Sequence, residues 1–179
     1  MIKEYKLDIL IFFIFASIMM VFIIAQSSLF INNLSLGSPP QLWILLIAYF
    51  SVYKPPVPAL LMIYLTSFFY STLTSMSFGK MLFLSSILFT IPWFGKHLNL
   101  KNRKIFFIFC TSFTTLLPLL DWLISTMIPL QPIQHYPIFG WLLTIVNTSI
   151  AVLLLKPLIF HLDRWLESLR LPFEKRFLG

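Results

Sequence analysis

Long apolar runs separated by short polar or proline-rich breaks fill most of the chain. The first run covers 7–30 and is followed by "INNLSLGSPP", a loop without charge. Pro39 and Pro40 suit the start of a helix, where a missing N–H costs little. The next run, Leu42–Tyr53, ends at Lys54 and "KPPVP". Pro55, Pro56 and Pro58 break a helix interior, and Pro58 fits the first turn of a new helix. That third helix is predicted over 58–77, with Gly79 as its terminator. A fourth, short run extends from Lys80 or Met81 to Trp93, with Pro92 near its end. A fifth covers 105–128 around Pro118, and a sixth covers 138–160 and includes Pro157. The prolines Pro55, Pro56, Pro58, Pro118 and Pro157 are read as helix-shaping positions. These runs predict an all-α chain, because helices satisfy their own backbone in hydrocarbon and open strand edges do not.

The length of each run leaves the number of crossings open. A full crossing takes about 20 residues, and Leu42–Tyr53 falls short of that. Charge separates the alternatives. With Lys3 and Lys6 inside, six spans place Lys54, the basic 96–104 segment and the C-terminal tail on the same side. The opposite loops, 31–40 and 129–137, contain no Lys or Arg, as the positive-inside rule requires. Lys80 is the exception, and its long stem is expected to reach an interface. A re-entrant or strongly tilted 42–53 segment is the alternative. The reading is one integral membrane domain over 1–179, with a basic, partly amphipathic cytoplasmic tail over 162–179, in a multi-pass membrane protein.

Composition strengthens the membrane reading. Hydrophobic residues make up 59% of the chain and charged ones 11%, against about 25% charged in soluble domains. Phe alone occurs 20 times. The 13 basic and six acidic residues give a net charge of +7. Beside apolar spans, that excess marks topology and contact with anionic membrane lipids rather than with nucleic acid. The single cysteine, Cys110, sits in an apolar run and reads as packing. The N-terminal apolar stretch is longer than a cleavable signal core and is read as a retained first helix.

Few residues carry candidate chemistry. Asp121 lies well inside the fifth run, where a lone carboxylate faces protein or water rather than lipid. Three roles compete: a hydrogen-bonded centre of the bundle, a contact for a partner's helix, and a step on an ion path. Asn147, Thr148 and Ser149, together with Ser67, Ser71, Thr72, Thr74, Ser75 and Ser77 of the third run, are expected to stitch helices together, though Ser and Thr also bond their own helix carbonyls. Trp43, Trp93, Trp141 and Trp165 lie near run ends and suit aromatic belts. Asp163 is expected at the interface. His97, His135 and His161 are too scattered for a shared metal site, and no phosphate loop or nucleophile motif occurs. The sequence therefore predicts no enzyme, no cofactor and no metal.

The order of motifs resembles the bacterial rod shape-determining MreD family over 39–166. "PPQLWILLIAYFSVY" resembles that family's short second span, and "YLTSFFYSTLTSMSFG" its third. "FGWLLTIVNTSIAVLLLKPLIFHLDRW" resembles its last helix, with Asn147 and Pro157 in typical places. Members often carry an acidic residue where this chain has Ser71, and a glycine where it has Ser75, so a role for that acidic group does not carry over. The resemblance implies a six-transmembrane-helix bundle like the substrate-binding subunits of energy-coupling-factor transporters. It also implies an MreC-like bitopic partner and membership of a system with an MreB-like filament, a RodA-like glycosyltransferase and a penicillin-binding transpeptidase. A non-catalytic scaffold of cell elongation is one function this leaves open. A substrate-binding subunit of a small-molecule transporter, using Asp121 and third-run hydroxyls, is the other.

Overall fold

Proline, asparagine and serine at the run boundaries set where the helices begin. The computed structural model describes residues 9, 11–18, 20–24, 26, 39–74, 76–94, 100–127 and 137–178, with backbone alone for 93, 94, 167 and 169–178. Its six helices are α1 (Ile11–Ile24), α2 (Leu42–Tyr53), α3 (Pro56–Leu73), α4 (Phe78–Phe94), α5 (Arg103–Met127) and α6 (Ile138–Leu178). Pro56 opens α3 after an extended Pro55, as expected for proline in a first turn. Asn102 caps α5 through Oδ1, which accepts from the Lys104 amide at 2.9 Å. Ser77 caps α4: its Oγ accepts from the Lys80 amide at 3.4 Å and its carbonyl from the Met81 amide at 3.0 Å.

That serine cap corrects the expected end of the third run. α3 stops at Leu73, where the Thr74 amide and hydroxyl both donate to the Tyr70 carbonyl. Gly79 lies inside the first turn of α4 and terminates nothing. A side-chain cap at Ser77 starts the new helix two residues before the glycine. Pro92, Pro118 and Pro157 all sit within continuous helices. α6 carries on beyond residue 160 as one helix to Leu178.

α2 occupies the middle of the bundle. Every residue from Leu42 to Ser51 is buried, and α3, α4, α5 and α6 all pack against it. α1 joins through Phe15, whose ring meets those of Tyr49 and Phe50. Trp43 reaches Tyr70 of α3 and Phe113 of α5. The short second run is thus sheathed by protein. Its twelve residues measure about 18 Å at the usual helical rise, less than the roughly 30 Å hydrocarbon core. The N-terminus of α2 meets Thr148, ten residues into α6, and so begins about 15 Å along that helix.

A buried helix end needs partners for its free amides. The Gln41 amide donates to Thr148 Oγ1 at 2.9 Å, and the Leu42 amide to Gln26 Oε1 at 3.3 Å. The Gln41 side chain in turn accepts from the Trp43 indole at 2.7 Å and the Tyr70 hydroxyl at 2.9 Å. Other pairs stitch the shell: Ser67 donates to Ser85 between α3 and α4, and Thr111 meets Ser149 between α5 and α6.

The outer faces are apolar. Leu60, Leu61 and Phe68 of α3, Leu116, Leu119 and Trp122 of α5, and Leu142, Val146 and Ile150 of α6 are exposed. Three helical stretches, Pro56–Leu73, Arg103–Met127 and Ile138–Leu166, are long and apolar enough to cross a bilayer. α1, α2 and the apolar part of α4 are shorter. The all-α bundle with these candidate spans is consistent with a multi-pass membrane protein.

Candidate functional site

Among the described residues, the polar chemistry of the bundle gathers in three charged centres, each placed by a lone charge within or beside an apolar run. The first joins α4 to α5. Lys80 is 3% exposed and Asp121 0%. Lys80 Nζ lies 2.5 Å from Asp121 Oδ1 and donates to Ser125 Oγ at 2.8 Å. The Ser125 hydroxyl donates to the Asp121 carbonyl one turn back, at 2.8 Å. Beyond the ion pair, neither carboxylate oxygen has a hydrogen-bond donor among the described residues. The expected reach of Lys80 to an interface is therefore corrected: its stem turns inward, because a buried carboxylate offers a stronger partner than distant water.

The second centre closes the far end of α2. Lys54 Nζ lies 2.5 Å from Asp163 Oδ1, and the Tyr49 hydroxyl donates to Oδ2 at 2.9 Å. Asp163 is buried within the bundle, between α2 and α6. The extended backbone at Lys54 that precedes the prolines aims the side chain at α6. Tyr49→Phe keeps the ring and removes one of the two donors. It is expected to cost about 1.5 kcal/mol, the lower range for a hydrogen bond to a charged group, measured by unfolding in mixed micelles.

The third centre lies between α5 and α6. Lys156 is 8% exposed, and its Nζ stands 4.1 Å from the centre of the Phe106 ring and 5.9 Å from that of Tyr53. It has no hydrogen-bond acceptor among the described residues. The aromatic faces supply a cation–π contact in place of an anion.

The sequence-predicted residues divide between these centres and the outside. Asp121 sits in the first. Asn147 is half-buried on α6 beside Thr148, which bonds α2, and Ser149, which bonds α5. The stitching role of that patch is thus observed for Thr148 and Ser149. Ser71 and Thr72 are not in a bundle centre. Their hydroxyls donate to Phe68 and Phe69 carbonyls of their own helix, while Thr66 and Ser67 face inward. Ser75 lies outside the described residues. Trp43 is corrected from a belt to the core: it is 1% exposed, against 54% for Trp165. Trp141 is half-buried, and the Trp93 side chain lies outside the described residues. His161 is exposed on α6, and His97 and His135 lie outside the described residues.

Sequence reasoning missed Lys80 as Asp121's partner, the Lys54–Asp163 pair, Gln41 and Lys156. One signal was available. Charges inside apolar runs are costly unless paired, and Lys80 and Asp121 are opposite in sign. Comparison with models of protein families, with curated proteins and with solved structures finds no match to this chain.

Proposed function

We propose that the chain is a non-catalytic scaffold of the bacterial cell-elongation machinery, seated in the inner membrane and bound to an MreC-like bitopic partner. Six crossings with both termini on the cytoplasmic side complete this reading. What supports it is the placement of the segments that resemble the MreD family. The "PPQLW" segment opens the central helix α2, the last resembling segment forms α6, and the third forms α3. α2 bonds α6 at both ends, through Gln41 to Thr148 and through Tyr49 and Lys54 to Asp163. α3 bonds α2 through Tyr70 and Gln41. The motifs therefore meet as one packed unit.

The interior also favours a scaffold over a carrier. Asp121 is occupied by Lys80, and the Ser71 and Thr72 hydroxyls by their own helix. Among the described residues, a cleft between α1 and α3, lined by Ala16, Met62 and Thr66 among others, holds about 10 Å³, room for about one water. A scaffold acts through its outer helix faces and needs no such space.

The test is capture of the tagged, full-length chain from gently solubilised membranes of its own cells, with identification of co-purifying proteins. An MreC-like bitopic protein is the expected result. Its absence, under conditions where other membrane complexes survive, overturns the proposal. Copurification of an ATPase module instead points to transport.

A further inference from the structure

Proline removes a backbone donor and leaves the carbonyl four residues earlier without its helical partner. In α6, Pro157 frees the Leu153 carbonyl in this way. Arg103, at the start of α5, answers it with a long contact of 3.5 Å from Nη2. Lys156, one turn beyond Leu153 on α6, reaches back so that its Nζ stands over the Phe106 ring of α5. Both cations lie where α5 meets α6.

No carboxylate answers them among the described residues. Asp163 is held by Lys54 and Tyr49, and Asp121 by Lys80. The Lys156 ammonium is buried without an acceptor. α5 has no acidic residue in its first turn, and the neutral Asn102 cap leaves the positive end of its dipole without a countercharge. Lys101 and Lys104 are exposed beside it. Every local field favours an anion. The outer faces of α5 and α6 are apolar, which suits acyl chains.

We propose that Arg103 and Lys156 hold the phosphate of an anionic phospholipid headgroup in the groove between α5 and α6. The guanidinium keeps free donors for phosphate oxygens after meeting Leu153. The flexible lysine stem carries Nζ from the ring face to the same phosphate. The apolar outer faces of the two helices take the chains. The proposal rests on the membrane reading and needs no protein partner.

The experiment uses the purified full-length chain in detergent, with phosphatidylglycerol and phosphatidylcholine offered as separate lipids and retention read by native mass spectrometry. Wild type is expected to retain phosphatidylglycerol over phosphatidylcholine. Arg103→Gln and Lys156→Met are each expected to weaken that retention about fivefold, and the double variant roughly thirtyfold, from about 1 kcal/mol per cation. Arg164→Gln removes a cation that sits over Phe160 outside this groove, and is expected to leave retention unchanged. Without added lipid, Lys156→Met is expected to melt at or above wild type, because it removes an unpaired buried charge. Phosphatidylglycerol is expected to raise the melting temperature of wild type and not of Lys156→Met.

Wild-type retention by the double variant overturns the proposal, as does an equal loss in Arg164→Gln. Complete protection by millimolar inorganic phosphate also overturns it, since the ligand is then a soluble phosphate. These results are independent of whether an MreC-like partner is captured.

Discussion

Asp121→Ala is expected to destabilise the isolated bundle by about 3–5 kcal/mol, the usual loss when one partner of a buried ion pair is removed. The loss comes from what remains. Lys80 is 3% exposed, and its buried ammonium then loses its carboxylate. Replacing both charges, as Lys80→Met with Asp121→Leu, is expected to restore stability to near wild type, because apolar side chains of similar volume fill the site without a desolvation cost. Unfolding in mixed micelles measures both variants. Wild-type stability in Asp121→Ala would show that the pair does not form. A loss of partner capture with stability intact would return Asp121 to the role of partner contact.

Trp43→Ala is expected to cost about 3 kcal/mol, while Trp165→Ala stays within about 0.5 kcal/mol, as exposed substitutions do. In a bilayer the transfer term is small, since lipid is as apolar as the core. The loss at Trp43 comes instead from the void left between Tyr70 and Phe113, and from the indole bond to Gln41. Equal effects of the two substitutions in the same unfolding assay would place both tryptophans on the surface.

These two predictions also mark where the sequence stopped being legible. The limits of α2 are readable because prolines and Lys54 bracket it. Its central place is not, because an all-apolar run has no polar face to show which side meets lipid. Trp43 looked interfacial for the same reason: being near the end of a run in sequence does not say how deep that end lies. The ends of α3 and α4 were misread because Gly79 is a stronger printed signal than a serine hydroxyl cap at Ser77. The candidate residue Asp121 was legible as a costly charge. Its partner was not, since α4 and α5 are brought together by packing and by no local pattern. Ser71 and Thr72 were over-read for a related reason. Hydroxyls in a helix have a partner at home, and only the fold shows which of them turn outward.

The two ends of α2 carry a consequence for biogenesis. Gln41 is answered by a residue 107 positions downstream, and Tyr49 and Lys54 by one 114 and 109 positions downstream. The slot for the second helix is therefore unfinished until α6 has left the ribosome. Until then a lysine and a glutamine wait at its two ends without their final counterparts, and only α6 releases them from waiting.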